Sequence, residues 1–176
     1  MKKYIRFLIT LMGFIVIAGC APVISKSVLQ QVDRTIAFDT VFQDPDALKG
    51  KSVLLGGVIV SVKNLQEGTL IEVLQKPLDY FKAPLDGDES GGRFLARYDG
   101  YLDAAVYSKG RKVTLAGTIM GRRLQRLDEI DYAYPLLLVT EIHLWKETNT
   151  EAGASSPFLY PYPYRYHFWR GYPYFW

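Results

Sequence analysis

The only cysteine of this 176-residue chain lies at position 20, directly after a short apolar segment. A chain with one cysteine cannot form an intramolecular disulfide, and one thiol is too few for a structural zinc site. The residues that follow position 20 are enough for one domain with tails. That domain has to be stabilised by its own hydrophobic core, without covalent or metal cross-links.

The residues before Cys20 have the features of a signal peptide. Lys2, Lys3 and Arg6 form a basic start, and residues 7–18 form an apolar run. At about 1.5 Å per residue, such a run reaches roughly 18 Å as a helix, well short of the ~30 Å hydrocarbon core of a bilayer. Its length and flanks predict a leader, residues 1–19, that is removed.

Ile17, Ala18 and Gly19 lead directly into Cys20. This pattern resembles the bacterial lipobox, in which small residues let the backbone enter the cleft of the signal peptidase and the thiol accepts lipid. We therefore expect cleavage before Cys20 and its modification by diacylglyceryl and N-acyl groups. An ordinary signal peptide with a chance cysteine and an uncleaved anchor are the alternatives.

The lipid determines where the mature chain is expected to reside. At about 0.8 kcal/mol per buried CH₂, two acyl chains already hold a protein stably on a membrane. Residue 21 is Ala, whereas Asp there, by resemblance to enteric lipoproteins, favours retention in the inner membrane. The expected location is the bacterial outer membrane, in the inner leaflet that faces the periplasm.

The net charge offers no basis for a nucleic-acid partner. Of the 21 Lys and Arg residues, three lie in the leader, which leaves 18 against 18 Asp and Glu. Binding to phosphates needs a basic face, and an exported, neutral domain offers none. We expect no nucleic-acid role.

Composition divides the mature chain into a lipidated tether, a folded domain, a polar linker and an aromatic tail (20–36, 37–146, 147–156 and 157–176). Ser27 is predicted to cap a helical turn in the tether. Asp44 followed by Pro45 predicts the start of a short helix that Gly50 ends. A second short helix is predicted at 103–107.

Five segments have the apolar or alternating pattern of β-strands (53–62, 69–75, 93–99, 112–119 and 136–145). The first is almost wholly apolar and β-branched, as expected of a strand that is buried on both faces. The others alternate more clearly. In the fifth, one face is predicted to carry Leu136, Leu138, Ile142 and Leu144.

Residues 50–59 and 110–119 resemble each other in the order of Gly, a basic residue, Val, Leu, Gly and Ile. A glycine inside a strand indicates a bulge or a sharp bend, as where a barrel closes. Five strands with two such bends predict an all-β domain with short helices, built as a small OB-like Greek-key barrel. A small β-sandwich is the alternative.

The tail at 157–176 holds eleven aromatic residues, four prolines and no acid. Alternating Tyr and Pro prevent a regular helix, so we expect an extended, disordered segment. The candidate contact residues for a membrane or a partner are Tyr160, Tyr162, Tyr164, Tyr166, Trp169 and Trp176. A membrane interface, stacking on peptidoglycan sugars, self-association or a protein partner, and no dedicated role all remain open.

Two acidic clusters resemble functional sites, but neither has the complete pattern that its chemistry needs. Asp86, Asp88 and Ser90 match the first ligand positions of an EF-hand loop, but Arg97 stands where a bidentate carboxylate is required. A solvated turn is therefore expected, and no metal or cofactor. The acids at 128, 129 and 131 include the two carboxylates that a glycan hydrolase needs. A charged surface loop is nevertheless the preferred interpretation, and the nearby arginines at 122, 123 and 126 are the expected ion-pair partners of these acids.

No catalytic set emerges from the histidines. His143 is predicted to be exposed, on the face of the fifth strand that carries Glu141 and Trp145. One histidine beside one glutamate is too few for zinc, and no nucleophile-elbow motif occurs. We expect the protein not to be an enzyme.

Several stretches of the domain, together with the lipobox, carry a family resemblance (48–51, 56–59, 76–79, 92–96, 100–103, 113–117 and 132–135). Their order and spacing resemble the starvation-inducible outer-membrane lipoprotein family, called Slp. The resemblance implies an outer-membrane lipoprotein that is induced by stress or starvation and has no established catalytic role. The aromatic tail departs from the family core.

The favoured hypothesis is therefore a non-enzymatic structural or interaction lipoprotein of the cell envelope. The alternative is a periplasmic OB-fold binding module for oligosaccharide, peptidoglycan or peptide. A glycan hydrolase is the least favoured, and the oligomeric state is open.

Overall fold

The structure, a computed structural model, describes residues 22–147. In this range two short helices, α1 and α2, precede five strands, β1 to β5. Their bounds are Lys26–Gln31 (α1), Phe38–Gln43 (α2), Ser52–Leu65 (β1), Gly68–Gln75 (β2), Arg93–Tyr98 (β3), Lys112–Leu127 (β4) and Ile130–Leu144 (β5). The predicted all-β class with short helices is confirmed. The predicted leader, the aromatic tail and nearly all of the polar linker lie outside the described residues.

The five strands close into a barrel in the order β1-β2-β3-β5-β4, with β4 returning to β1. Neighbouring strands are antiparallel except for β3 and β5, which run parallel from the pair Leu95–Leu136 to the pair Arg97–Leu138. This is the OB-like barrel that the sequence predicts. A sandwich of two separate sheets is ruled out, because one sheet closes on itself.

The core fills the inside of this barrel. Fully buried side chains come from every strand, among them Ile59, Ile71, Phe94, Ile119 and Leu137. Full burial of each contributes about 1.5–3 kcal/mol. Helix α2 adds its own buried side chains, and the ring centre of Phe38 lies 5.9 Å from that of Phe94.

The mid-strand glycines that correspond in the internal repeat, Gly57 and Gly117, both lie where backbones approach closely. A Cβ on Gly57 would lie 2.0 Å from the carbonyl oxygen of Leu74, and a Cβ on Gly117 would lie 2.6 Å from that of Leu138. The register of β4 against β5 shifts at Gly117, so the predicted bulge at a mid-strand glycine is confirmed there. Gly57 pairs with both β2 and β4 and admits no side chain.

The prediction for the faces of β5 is half wrong. Gly117 pairs with Val139 but Ala116 pairs with Glu141, so Thr140 is an extra residue that reverses the alternation. Ile142 and Leu144 pack against the core as predicted. Before the bulge, however, Leu137 and Val139 are the core residues, and Leu136 and Leu138 lie on the outer face. A strict period of two cannot anticipate such an extra residue.

The predicted helices are also corrected. Residues 45–50 form turns, and Asp44 instead follows the end of α2. Residues 103–107 make a single turn in which the N–H of Tyr107 donates to the carbonyl of Asp103 at 2.8 Å. The N-cap of α1 is Ser25 rather than Ser27, without a side-chain cap hydrogen bond.

Strands β4 and β5 are longer than the sequence pattern predicts. Beyond the barrel wall, Gly121 to Leu127 pair with the start of β5 as a two-stranded arm that turns at Asp128 and Glu129. Asp128 has φ +54°, a left-handed conformation that Asp tolerates in tight turns. The arm is mostly exposed, which explains why its polar residues resemble a loop.

Candidate functional site

The segment that leads back to Cys20 is docked on the barrel. Ile24 is 2% exposed. The N–H of Ser25 donates to both carboxylate oxygens of Glu141 at 3.0 Å, and its hydroxyl donates to one of them at 2.8 Å. Farther along, the N–H of Asp33 donates to the carbonyl of Ser52 at 2.8 Å. Part of the expected tether is therefore fixed to the barrel wall at Ile24 and Ser25 and again at Asp33.

The predicted lipidation and contact residues themselves are not among those described. Residue 22 is the first described position and residue 147 the last. The lipobox residues Ile17, Ala18, Gly19 and Cys20 and the tail residues Tyr160, Tyr162, Tyr164, Tyr166, Trp169 and Trp176 lie outside these limits.

Beside Glu141, the loop between β2 and β3 is fastened to the outside of the barrel. The indole N–H of Trp145 donates to the hydroxyl of Thr114 at 2.9 Å, and this hydroxyl donates to the carbonyl of Lys82 at 2.6 Å. His143 packs edge-on against Trp145, with ring centres 4.8 Å apart. The prediction that His143 is exposed is wrong. The residue is half-buried, because Trp145 partly covers its face of β5.

The outer face of β2, β3 and β5 carries a second apolar cluster, separate from the core. Leu70, Leu95 and Tyr134 are buried in it, with Tyr132 and Leu136 packed at its edge. These positions alternate with core residues along their strands, so they point away from the barrel interior. We name this cluster and the charged groups bonded to it the outer face.

A carboxylate at the middle of the outer face is held by three strands. Glu72 accepts hydrogen bonds from Arg93 at 2.8 Å, from the hydroxyl of Tyr134 at 3.1 Å and from the hydroxyl of Ser61 at 3.1 Å. No local sequence pattern points to this group, because its members come from four different strands. Glu72 lies two residues after Leu70 and therefore on the same face of β2, but this spacing does not reveal its partners.

The electrostatics of the outer face follow from this arrangement. Burial, and next the charge of Glu72, raise the pKa of Tyr134 to about 12, and the residue is only 1% exposed. The hydrogen bond to Glu72 raises the pKa of Arg93. Tyr134 is therefore a neutral donor and Arg93 a fixed cation at every physiological pH.

Tyr132 joins the outer face to helix α2. Its hydroxyl accepts the N–H of Arg93 at 3.1 Å, and its ring centre lies 4.5 Å from that of Tyr134 and 5.9 Å from that of Phe42. The start of β3 is thus fixed from both sides. On the outer face the ring of Tyr134 is covered and that of Tyr132 is partly exposed, and Arg93 and Arg97 lie partly exposed beside them.

The acids of the β4–β5 turn are not brought together as a catalytic pair with a cleft. Asp128, Glu129 and Asp131 are all exposed at the end of the arm. Arg122, a predicted partner of these acids, instead bonds to Asp46 at 2.8 Å. A surface loop is the arrangement that the structure contains.

The EF-hand-like stretch is an exposed loop between β2 and β3, and Asp86 pairs with Lys112 at 2.6 Å. Within residues 22–147, no group of three or more His, Cys, Asp or Glu side chains is arranged to hold a metal ion. Among the helices in this same range, none is long and apolar enough to cross a membrane.

Comparison with known proteins gives a family match along nearly the whole chain. The model of the "Outer membrane lipoprotein Slp family" matches residues 17–175. The chain is 31% identical over 134 residues to "Uncharacterized lipoprotein YeaY" of Escherichia coli K12, which covers 76% of this chain and 67% of that protein. It is 30% identical over 115 residues to "Outer membrane protein Slp" of the same organism, with 65% and 61% covered.

A protein of Haemophilus influenzae is 32% identical over 101 residues, with 57% of this chain and 55% of that protein covered. The chain thus spans between 55% and 67% of the length of these curated relatives. Among solved structures, an OBody bound to hen egg-white lysozyme matches with a TM-score of 0.36 at 13% identity, over 58% of this chain and 88% of that one. The likeness is too low to carry an argument about function.

The raised pKa of Tyr134 predicts a loss of stability at alkaline pH. Unfolded tyrosine ionises near about pH 10, whereas folded Tyr134 ionises at about 12. Its contribution is complete below the first value and is lost as the pH rises through the second. The free energy of unfolding, measured with urea, should therefore fall over this pH range. Tyr134→Phe should make this fall smaller, and at neutral pH it should lower the free energy of unfolding by about 1.5–3 kcal/mol, because the hydrogen bond to Glu72 is lost.

Burial also raises the pKa of Tyr107, so Tyr107→Phe is the matched control that removes the other shifted phenol without touching Glu72. A Tyr134→Phe protein whose stability falls between these pH values as steeply as that of the parent would contradict the assignment.

Proposed function

Since the chain belongs to the outer membrane lipoprotein Slp family, we propose that it is a lipid-anchored, non-enzymatic interaction module on the periplasmic side of the outer membrane. In this proposal Cys20 carries the lipid after cleavage behind Ile17, Ala18 and Gly19. The barrel is the part that makes the interactions, and expression of the protein is linked to stress or starvation.

The observation that carries the proposal is the docking of the chain immediately after the lipobox. Three residues lie between Cys20 and the buried Ile24, so four residue steps join them, and extended chain spans at most about 3.5 Å per step. The lipidated residue would then lie within about 14 Å of the barrel wall. The hydrogen bonds from Ser25 to Glu141 support a short connection between the lipid and the barrel. Such a connection restricts the orientation of the barrel relative to the bilayer.

The energetics support permanent attachment. Each buried CH₂ contributes about 0.8 kcal/mol, so two long acyl chains hold a protein stably and a third makes release negligible. A barrel joined to the lipid by about 14 Å of chain stays in the headgroup region or directly next to it. Its partners are then components of the envelope that come within reach of the inner leaflet.

The absence of catalysis is proposed because Glu72, the carboxylate at the middle of the outer face, has a structural role. Glu72 is bonded to Arg93, Tyr134 and Ser61, which fixes the outer face and leaves the carboxylate no free geometry for proton transfer. The acids of the β4–β5 turn lie on an exposed arm, where no walls exclude water from a reaction.

The location can be tested by two substitutions next to each other. Cys20→Ala removes the lipid acceptor and the cleavage site, so the protein should be lost from outer membranes in a density gradient. Ala21→Asp keeps the acceptor but introduces the residue that favours inner-membrane retention, so the protein should shift from outer to inner membranes in the same gradient. The matched control is Ala21→Ser. Recovery of the Cys20→Ala protein from outer membranes in the same amount as its parent would refute the anchor.

A second candidate function rests on the outer face. OB barrels bind oligosaccharides and oligonucleotides across strands 2 and 3, and here that region presents the partly exposed ring of Tyr132 and the guanidinium groups of Arg93 and Arg97. Aromatic rings pack on sugar faces and on apolar side chains, and guanidinium groups bind carboxylates. We propose peptidoglycan fragments or an acidic peptide as the ligand class, with the aromatic tail as an additional contact.

This candidate predicts a specific loss of binding. Arg97 is partly exposed beside the cluster and pairs with Asp99 at 3.3 Å. Arg97→Ala should weaken co-sedimentation with purified peptidoglycan about tenfold, because a charge-assisted hydrogen bond contributes about 1.5–3 kcal/mol. Lys109→Ala, an exposed base on the loop between β3 and β4, is the control and should bind normally. Binding that depends only on residues 157–176 would instead exclude the outer face.

A further inference from the structure

Two adjacent aromatic side chains project into solvent from the loop between β2 and β3. Tyr80 is 89% exposed and Phe81 is 71% exposed. Their rings meet edge to face, with centres 5.4 Å apart. We name this pair the aromatic tip. Exposed single apolar residues are ordinary on protein surfaces, but two adjacent large rings at the end of one projection form a localised apolar point.

The aromatic tip is held on a rigid turn. The N–H of Asp79 donates to the carbonyl of Ala83 at 2.9 Å, and the N–H of Ala83 donates to the carboxylate of Asp79 at 2.8 Å. Leu78 and Pro84 form a bridge below the turn. They pack on Gly56, where a Cβ would meet both side chains. The rings are therefore presented outward by a fixed scaffold.

The same turn lies beside the segment that leads to the predicted anchor. Leu29 and Arg34 line one side of a cleft of about 260 Å³, and Leu78 and Lys82 line the other. Leu29 belongs to α1, which starts directly after the docked Ser25. The aromatic tip and the route to Cys20 consequently share one side of the barrel.

We propose that the aromatic tip inserts into the headgroup region of the bilayer that holds the lipid anchor, as a second membrane contact that fixes the orientation of the barrel. This inference rests on the proposed lipidation of Cys20. Tyrosine favours the membrane interface, because the ring is apolar and the hydroxyl remains hydrated. Phe81 adds a wholly apolar ring beside that of Tyr80.

The surrounding charges favour lipid over a protein partner. Lys26, Arg34 and Lys82 are exposed around this side, and bases near a membrane surface attract anionic headgroups. Two acids on this side, Asp79 and Asp33, are held by local hydrogen bonds: Asp79 accepts the N–H of Ala83, and Asp33 accepts the hydroxyl of Thr35 at 2.6 Å. A bilayer is also the one partner that the anchor keeps permanently within reach.

Spin labels test the depth of the aromatic tip. Because the sulfur of Cys20 is occupied by lipid, Phe81→Cys and Tyr80→Cys each introduce the only free thiol, and each variant keeps the other ring. The full-length lipidated proteins are reconstituted into vesicles of phosphatidylethanolamine and phosphatidylglycerol. Collision rates of the nitroxide with oxygen, which concentrates in lipid, and with a water-soluble nickel chelate are then measured.

The matched control is Tyr101→Cys. Tyr101 is 74% exposed beside Gly68, at the far end of β1, about 30 Å along that strand from the residues that contact the turn. Labels at 80 and 81 should collide with oxygen several-fold more, and with nickel several-fold less, than the label at 101.

Each alternative result overturns the inference in a distinguishable way. Nickel access at 81 equal to that at 101 would mean that the tip stays in water. Low access to both oxygen and nickel would mean burial against protein. Mass analysis of the same samples separates the two proposals: a free Cys20 thiol would overturn the anchor and this inference together, whereas a lipidated Cys20 with a water-exposed label would overturn this inference alone.

Discussion

The parallel contact between β3 and β5 is the constraint on which the rest of the molecule depends. It is short, running from the pair Leu95–Leu136 to the pair Arg97–Leu138, yet it converts an open sheet with two free edges into a closed barrel. Closure gives every strand an inner and an outer side. Ala96 and Leu137 then complete the core, while Leu95 joins Tyr134 outside.

The sequence predicts the parts of the strands that belong to the barrel wall, because there one side is apolar and the period of two is visible. It fails where that condition fails. Arg122 and Asp131 lie on an arm whose β4 strand is mostly exposed, so this part of the sequence resembles a loop. Thr140 adds one residue to β5, and the faces assigned to Leu136 and Leu138 are reversed as a result.

The candidate sites depend on contacts that local patterns do not contain. The bond between Ser25 and Glu141 joins residues 116 positions apart, and the group around Glu72 exists only after β2, β3 and β5 are neighbours. The aromatic tip is not predicted from the sequence for another reason. Pro77 and Asp79 indicate a turn in this segment, but they do not indicate whether the side chains of the turn are buried or exposed. The lipobox, by contrast, is a local motif that a protease recognises in extended chain, so sequence suffices to predict it.

These elements together describe a barrel whose attachment is built into its fold. The chain docks on the wall at Ile24 and Ser25, shortly after the predicted anchor. The most direct measurement is the mass of the N-terminal peptide of the protein isolated from its native membranes. The account predicts a chain that begins at Cys20 and carries acyl groups on it. A leader still attached, or an unmodified sulfur at that position, would contradict it.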